Sequence, residues 1–364
     1  MSAIGHVRRD IMTKYKTVKG FNDIYNTEYK IGKYIKDIIL EISESYNYKP
    51  IELAQFEYTS LFIDYYGNDI KESLYSIDNR YATSISLRNN VVLSMIRSIV
   101  ENKLYVDKSM PIKLMSDSET YTFNKRNRKQ KAMNEEFVFV NALVGDYHLD
   151  IENINLALDV FGSLGMEKVD LKIYKNNLSN ETLKSIETLL DTLNIWYEVE
   201  DLGDEFYDGL EYEFFYNNIL VAHGGRHDYL TKKLTAPDIP SSSLIFDIDE
   251  LKNIIEFTSL LPSMEEELDF LVISTDKEYD STLIVASRLR ELGVKVDISY
   301  NEYDPSRLRD FIDRMNIPYT VMTNIEDVNK GIVTVRNSIS KEEGNVYFEK
   351  FLEELIEHSK HHHD

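Results

Sequence analysis

The chain contains no cysteine and no long apolar run. Without cysteine, disulfides, thiol catalysis and cysteine-ligated zinc or iron–sulfur centres are excluded. No window approaches the roughly 18 consecutive apolar residues of a membrane-spanning helix. The first residues carry charges but no apolar signal-peptide core. We therefore expect a cytoplasmic protein with no membrane span, no metal site and no cofactor.

Basic residues are also scarce relative to acidic ones. The 364 residues include 41 Lys and Arg against 63 Asp and Glu, which gives a formal net charge of −22 at pH 7. Phosphate contacts supply most non-specific affinity for nucleic acid, and an acidic field repels them. We therefore expect the chain not to bind tRNA. With 43% hydrophobic residues, it has enough apolar material for two folded domains.

One basic run interrupts this acidity, at residues 125–131. It is open to three interpretations: a solvated loop tip, a contact for an acidic partner, or a set of displaced catalytic arginines. We favour the loop tip over the displaced arginines and keep the run as a candidate partner-contact patch. Its basic members are Lys125, Arg126, Arg128, Lys129 and Lys131.

Hydrophobic periodicity changes near Pro262. Before this residue, long amphipathic helices and alternating strands predict an α+β domain with a mixed or antiparallel sheet. The predicted helices are 28–46, 91–101, 151–162 and 180–193, and the predicted strands are 49–54, 84–87, 112–115, 137–144 and 171–174, with 55–62 leading back to the sheet.

After Pro262, short apolar strands alternate with helices, which implies a largely parallel sheet covered on both faces. We expect four parts: a flexible arm at 1–18, a core at 19–262, a smaller α/β domain at 263–358 and a disordered His-rich tail at 359–364. The predicted strands of the smaller domain are 270–274, 294–299, 318–322 and 332–336, and its predicted helices are 281–292, 305–315 and 346–358.

Residues 87–92 read Leu-Arg-Asn-Asn-Val-Val. This segment and the helix after it resemble the Leu-Arg-Pro-Glu-Gly-Thr region of histidyl-tRNA synthetases. Four more segments resemble the same family, and the most specific is Gly-Gly-Arg-His-Asp at 224–228, close to the family's Gly-Gly-Arg-Tyr-Asp. The other three are 19–23, 56–62 and 150–165. The resemblance covers nearly the whole chain from Lys19, and it implies a class II synthetase core followed by an anticodon-binding-like domain.

The resemblance also implies that the ATP and amino-acid pocket has degenerated. Three positions that hold arginines in the family are occupied here by Thr122, Asp208 and Glu250, and Asn90 replaces a glutamate, while Arg88 is kept. Adenylate formation depends on positive charge around the ATP phosphates. We therefore expect no catalytic residue and no aminoacyl-tRNA ligase activity.

Two further departures concern amino-acid and tRNA binding. The resemblance places a glutamine and an acid near Val138 and Ala142, where this chain is apolar. The family's helical insertion is essentially absent between Lys175 and Asn180, and the C-terminal domain, which would hold the anticodon, is acidic, with 12 Lys and Arg against 21 Asp and Glu in residues 263–360.

The segment Gly224, Gly225, Arg226, His227 and Asp228 is the candidate ligand element that survives. We expect a turn between a strand and a helix, in which the glycines permit positive φ and close approach of the backbone. It either binds a small ligand or braces the fold through Arg226 and Asp228, and we favour bracing.

The resulting hypothesis is a non-catalytic paralogue of histidyl-tRNA synthetase that acts as a regulatory or structural subunit. The best-known relative of this kind is the regulatory subunit of ATP phosphoribosyltransferase, which the chain resembles and which assembles with a catalytic partner in histidine biosynthesis. The alternative is a dimeric accessory factor of a nucleic-acid enzyme, or a tRNA-related sensor. In either case we expect a homodimer formed through helix 28–46 and a strand ending at Phe62.

Overall fold

The computed structural model describes residues 15–78, 84–106, 109–123, 132–175, 178–201, 203–204, 206–234, 237–258, 260, 268–275, 279–300 and 305–360. The expected basic patch at 125–131, most of the expected N-terminal arm and the end of the His-rich tail lie outside these residues. The chain divides into two compact units, residues 1–262 and 263–364.

An eight-stranded sheet forms the centre of the first unit. Its strand order is β1-β5-β6-β11-β10-β9-β7-β8, antiparallel throughout except at the two edges, where β1 pairs with β5 and β7 with β8 in parallel. A second sheet of three antiparallel strands has the order β2-β4-β3. The strands are β1 Lys49–Pro50, β2 Phe56–Tyr58, β3 Ser76–Asp78, β4 Ser84–Leu87, β5 Ile112–Tyr121, β6 Met133–Ala142, β7 Val169–Tyr174, β8 Glu198–Glu200, β9 Glu211–Tyr216, β10 Ile219–Arg226 and β11 Ser241–Asp247.

The helices of the first unit pack on both faces of the large sheet. On one face α3 buries Val92 and Leu93 against Val138 and Val140 of β6. On the other face Phe161 of α4 contacts aromatic rings of β9 and β11. The helices are α1 Asn26–Ser45, α2 Thr59–Tyr66, α3 Val91–Glu101, α4 His148–Ser163, α5 Asn180–Thr192, α6 Leu230–Lys233 and α7 Ile248–Phe257, with a 3-10 helix at Asn68–Ser73.

Two local predictions are wrong in the N-terminal part. Residues 55–62 do not form one strand: β2 ends at Tyr58, and Phe62 lies fully buried inside α2. The strand expected at 49–54 is reduced to Lys49–Pro50. The hydroxyl of Thr59 is hydrogen-bonded to the hydroxyls of Ser84 and Ser86, at 2.9 and 2.7 Å, so the chain turns onto β4 at this point and leaves the strand conformation.

The second unit contains a five-stranded sheet with the order β13-β12-β14-β15-β16. The first three strands are parallel, but β14, β15 and β16 pair antiparallel, so the expected largely parallel sheet is wrong for its second half. The strands are β12 Phe270–Ser274, β13 Val296–Ser299, β14 Tyr319–Thr323, β15 Ile332–Asn337 and β16 Glu343–Tyr347, and the helices are α8 Asp280–Arg290, α9 Pro305–Arg314, α10 Ile325–Asn329 and α11 Phe348–Lys360.

None of the helices in the described residues is long and apolar enough to cross a membrane.

Candidate functional site

Arg88 follows β4 and joins three segments of backbone. Its guanidinium donates hydrogen bonds to the carbonyl oxygens of Glu119 (3.1 Å), Ala54 (3.0 Å) and Leu53 (3.4 Å). The residue is 2% exposed. Burial lowers the pKa of Arg88, and the neighbouring Glu119 carboxylate opposes that shift. Nε and Nη1 of the retained arginine are therefore directed at the protein's own carbonyl groups, and Nη2 lies 3.8 Å from the Glu119 carboxylate.

Asn90 lies at the N-terminus of α3 and acts as its cap. Its side-chain oxygen accepts a hydrogen bond from the Leu93 N–H at 3.0 Å, and its amide donates to the Tyr66 hydroxyl at 2.8 Å. A helix N-terminus has four unpaired N–H groups, and asparagine is among the best residues to satisfy one of them. Asparagine at the position of the family's glutamate therefore has a local structural role.

Thr122 is exposed directly after β5. Its N–H donates to the Ala132 carbonyl oxygen at 2.8 Å, which continues the pairing of β5 with the chain before β6. The basic residues that follow lie outside the described residues.

Asp208 accepts two hydrogen bonds from the backbone. Its carboxylate oxygens receive the N–H groups of Asp228 (2.8 Å) and Tyr229 (2.9 Å). Its own N–H donates to the Arg226 carbonyl oxygen at 2.9 Å. The acid at this position therefore holds together the turn that follows β10.

Glu250 lies in the first turn of α7. Its N–H donates to the carboxylate of Asp247, the helix cap, at 3.0 Å. Acidic side chains are favoured at a helix N-terminus because the backbone N–H groups there carry partial positive charge. Asp247 and Glu250 are spaced as in a capping box, so the reversed charge suits the local helix start.

The sequence did not identify one acidic residue on the face of the large sheet that α3 packs against. Glu136 of β6 lies opposite Asp247 of β11, and its carboxylate accepts a hydrogen bond from the Thr120 hydroxyl at 2.9 Å. Burial raises the pKa of Glu136 to about 7, and the Asp247 carboxylate contributes to the rise. Strand alternation from Val138, two residues along, could have placed Glu136 on this face.

Val138 and Ala142 are fully buried on the same face, in the core cluster formed with α3. Their positions therefore present no polar group for an amino-acid substrate.

Gly224 and Gly225 lie inside β10, so the prediction that they form a turn is wrong. Neither has a positive φ; their shared property is close packing. A Cβ on Gly224 would lie 2.2 Å from the Ser243 carbonyl oxygen and 2.6 Å from the Tyr212 ring. A Cβ on Gly225 would lie 2.6 Å from a backbone oxygen and 2.8 Å from the Tyr207 ring. The glycines are needed because tyrosines press on both faces of the strand.

Arg226 makes the densest set of polar contacts in this region. Its guanidinium donates to the carboxylates of Asp150 and Asp228, both at 2.9 Å, and to the carbonyl oxygens of Val144 (2.8 Å) and Asp146. Burial disfavours the charge of Arg226, but the two carboxylates outweigh it and raise its pKa. Burial also raises the pKa of Asp150, to about 6, against the opposing effect of Arg226. These contacts are the ones expected of a bracing residue.

His227 is 1% exposed and packs against Tyr207 and Phe206. Burial lowers its pKa to about 3, and the charge of Arg226 adds to the effect. Burial likewise lowers the pKa of His223 to about 4. Both imidazoles are therefore neutral at pH 7.

The arrangement as a whole defines a class of protein. A large, mainly antiparallel sheet with α3 packed on one face, followed by a smaller α/β unit, is the architecture of a class II aminoacyl-tRNA synthetase core with an anticodon-binding domain. Residues 269–358 match the family model described as Anticodon binding domain.

Within this class, the chain is similar to histidyl-tRNA synthetases. The histidine–tRNA ligase of Anoxybacillus flavithermus is 22% identical, with 95% of this chain and 99% of the relative covered. The apo histidyl-tRNA synthetase structure from S. aureus has a TM-score of 0.80 at 21% identity, covering 93% of this chain and 99% of that one. The chain therefore has the histidyl-tRNA synthetase fold, as the sequence resemblance predicted.

A second structural neighbour has a different name. It is an ATP phosphoribosyltransferase regulatory subunit/histidyl-tRNA synthetase from Bacillus halodurans, with a TM-score of 0.66 at 15% identity, covering 82% of this chain and 97% of that one.

Proposed function

We propose that this chain is a non-catalytic paralogue of histidyl-tRNA synthetase that acts as a regulatory or structural subunit. The observation that carries the proposal is the state of the positions where the resemblance places cations. Asp208 and Glu250 are acidic: the Asp208 carboxylate accepts two backbone N–H groups, and Glu250 lies in the first turn of α7, where negative charge is favoured. An arginine at 208 would lose the two hydrogen bonds, and an arginine at 250 would place positive charge at the helix N-terminus.

The acidic residues near the face of the large sheet that α3 packs against support the same proposal. Glu136 and Asp247 lie opposite each other on neighbouring strands, and Glu250 follows in α7. A carboxylate about 4 Å from a phosphate oxygen costs roughly 4 kcal/mol at an effective dielectric constant of about 20. Adenylate formation at the ATP α-phosphate instead needs positive charge close to the phosphate oxygens. The face is therefore unsuited to bind ATP in the orientation that adenylate formation requires.

The loss of free donors on the retained arginines adds to this. The guanidinium groups of Arg88 and Arg226 are both buried and are directed at carbonyl oxygens and carboxylates of the chain itself. Moving either to a phosphate would leave buried acceptors unpaired, which costs about 1–3 kcal/mol for each group. Neither arginine is positioned to take over from the missing cations.

We propose a homodimer built on the exposed face of α1. Three large apolar side chains of this helix region are exposed: Tyr25 (70%), Tyr29 (61%) and Leu40 (40%). The spacing of Tyr29 and Leu40 places them on one side of the helix. Two-fold dimers are the commonest assembly of soluble proteins, and a symmetric pairing would bury this face.

The partner that we propose is the catalytic subunit of ATP phosphoribosyltransferase. The support is the fold neighbour from Bacillus halodurans, whose name includes the regulatory subunit of that enzyme. To test this, the chain is mixed with the phosphoribosyltransferase catalytic subunit of the same organism and run on a sizing column. We expect a joint peak and an increase in transferase activity over the catalytic subunit alone. Separate elution and unchanged activity would exclude this partner.

A further inference from the structure

The three-stranded sheet β2-β4-β3 has one apolar face. Residues directly opposite each other on paired strands share a face, so Tyr58, Ile85 and Ile77 form one row across this sheet. Phe56 and Leu87 form a second row on the same face, because side chains two residues apart along a strand point the same way. None of these five side chains carries a charge. We call the five together the apolar sheet face.

The opposite face of this sheet is polar and is the one that the chain buries. Antiparallel sheets commonly do the reverse, with the apolar face on the core and the polar face in water. Here Glu57 and Ser86 are 7% and 0% exposed. Glu57 accepts two hydrogen bonds from the Arg97 guanidinium, at 2.8 and 3.1 Å, and the Ser86 hydroxyl is hydrogen-bonded to the hydroxyls of Thr59 and Ser76. The sheet cannot turn over without breaking these bonds.

The described residues leave much of the apolar sheet face in contact with solvent. Tyr58 is 64% exposed, Ile77 is 52% exposed and Phe56 is 43% exposed. Single exposed apolar side chains are common on proteins, but contiguous ones mark interaction surfaces. These three side chains together present roughly 300 Å² of apolar surface. The face therefore has the composition of an interface.

Two grooves connect the apolar sheet face to the exposed side of α1. The first groove is lined by Tyr29 and Leu40 of α1 together with Glu52 and Asp117. The second groove is lined by the same Glu52 and Asp117 and by Phe56 of the sheet. A stable interface buries about 800 Å² on each partner, which is more than the apolar sheet face offers by itself. An interface that includes this face therefore extends along the grooves toward α1.

The charge of the chain favours a second copy as the occupant of this face. With a formal net charge of −22, two copies repel each other over most of their surfaces. They can meet on a face without charged side chains because no carboxylates are brought together there. A basic partner protein would instead be attracted to the acidic parts of the surface and would gain little from this face.

We propose that the apolar sheet face packs against a second copy of this chain. The inference rests on the homodimer proposed above, and it adds β2, β3 and β4 to an interface that was argued from α1 alone. Strand β4 leads directly into Arg88, and Arg88 lines the same groove as Phe56. A second copy on this face therefore borders the groove that contains the retained arginine.

Sedimentation of the double variant Tyr58→Glu, Ile77→Glu tests the proposal, with circular dichroism to confirm folding. We expect the dimer dissociation constant to rise by at least roughly 100-fold over wild type, because unpaired charge buried in an apolar interface is strongly unfavourable. The matched control is Ile339→Glu, Tyr347→Glu, which changes the same residue types at positions 83% and 68% exposed in the second unit. The control should dimerise like wild type.

A double variant that dimerises as tightly as wild type would overturn the inference but leave the homodimer itself standing, whereas a monomeric wild type would overturn both. A variant that stays dimeric but no longer binds the phosphoribosyltransferase subunit would also overturn the inference, since the face would then take another protein.

If the glutamate variant does not fold, thiol labelling supplies a second measurement. The chain has no cysteine, so Ile77→Cys introduces a single thiol on the apolar sheet face. We expect its labelling by a maleimide to slow by roughly ten-fold from concentrations well below to well above the dimer dissociation constant, because only the monomer exposes it. Ile339→Cys should be labelled at the same rate at both concentrations. Equal rates for Ile77→Cys would overturn the inference.

Discussion

At the scale of single residues, the positions where the sequence resemblance places catalytic side chains hold residues with local structural roles. Asn90 caps α3, Asp208 ties two backbone N–H groups of the following turn, and Glu250 lies in a favourable helix start. Asn90 and Asp208 each use a short side-chain oxygen to accept backbone N–H groups. The sequence identifies the substitutions, but their hydrogen-bond partners depend on chain segments that meet only in the fold.

Arg226 gives the first prediction. Arg226→Ala should lower the melting temperature by roughly 10 °C, because it leaves Asp150 buried without its partner, a loss of about 3–5 kcal/mol. The matched control is Lys350→Ala, which removes a cation from the exposed Lys350–Glu354 pair of α11 and should change the melting temperature little. Thermal melts followed by circular dichroism measure both. Near-normal melting of Arg226→Ala would contradict the bracing role and favour a ligand role.

Glu136 gives a prediction about pH. Its folded-state pKa of about 7 lies above the usual value, so the folded chain holds this proton more tightly than the unfolded chain does. Its contribution to stability is full below the unfolded pKa and is lost as pH rises toward 7. Glu136→Gln cannot ionise and keeps an acceptor for Thr120. We expect this variant to melt higher than wild type at pH 8 and close to wild type at pH 4.5.

The same two pH values supply the control for that experiment. A rise in the melting temperature of Glu136→Gln of equal size at both pH values would show that glutamine packs better and that ionisation of Glu136 is not the cause. A variant less stable than wild type at pH 8 would contradict the assignment.

At the scale of elements, the hydrophobic pattern of the sequence predicted the helices and strands whose buried side chains are apolar. Helix α3 was predicted with its correct bounds, Val91–Glu101, and so was β12, Phe270–Ser274. Strand β5 runs to Tyr121, beyond its predicted end at 115, because the side chains buried in its second half include the polar Ser116, Ser118 and Thr120, which give no hydrophobic alternation. The pairing of β14 and β15 is antiparallel, and no local pattern distinguishes this from a parallel crossover.

Gly224 and Gly225 were predicted to form a turn because the local sequence does not show their contacts with distant residues. Two adjacent glycines are typical of a turn, and the sequence gives no sign that tyrosines approach β10 from both faces. No motif identifies Tyr207, whose ring packs on Gly225. This contact joins chain segments that meet only in the fold.

The cap of α3 gives a prediction at this scale. Asn90→Ala should cost about 1 kcal/mol, or roughly 2–4 °C in melting temperature, because the Leu93 N–H loses its acceptor. Asn90→Ser is the matched control, since serine also caps helices but cannot reach Tyr66 in the same way. We expect the serine variant to melt close to wild type. Equal losses in both variants would assign the effect to the Tyr66 contact.

At the scale of the whole molecule, the chain joins two units with different sheets. The change of pattern near Pro262 lies where the two units divide. The second unit matches the anticodon-binding model, although its residues 263–360 carry 21 acidic and 12 basic side chains. Fold and charge thus give separate information: residues 269–358 match an anticodon-binding domain model, while the negative charge of this unit opposes binding to a polyanion.

Assembly gives the prediction at this scale. We expect the wild-type chain to sediment as a dimer at micromolar concentration. The double variant Tyr29→Glu, Leu40→Glu should sediment as a monomer, because it places charge in the proposed apolar interface on α1. Leu283→Glu is the matched control, since Leu283 is also exposed, at 47%, but lies on α8 of the second unit. A monomeric wild type, or a double variant that stays dimeric, would contradict the interface.

The central claim is that this fold no longer activates histidine. The most direct measurement is pyrophosphate exchange into ATP that depends on histidine, with an active histidyl-tRNA synthetase assayed in parallel. We predict exchange at the level of the blank without enzyme, because Thr122, Asp208 and Glu250 occupy the positions where the sequence resemblance places the cations of the ATP site. Histidine-dependent exchange clearly above that blank would contradict the account.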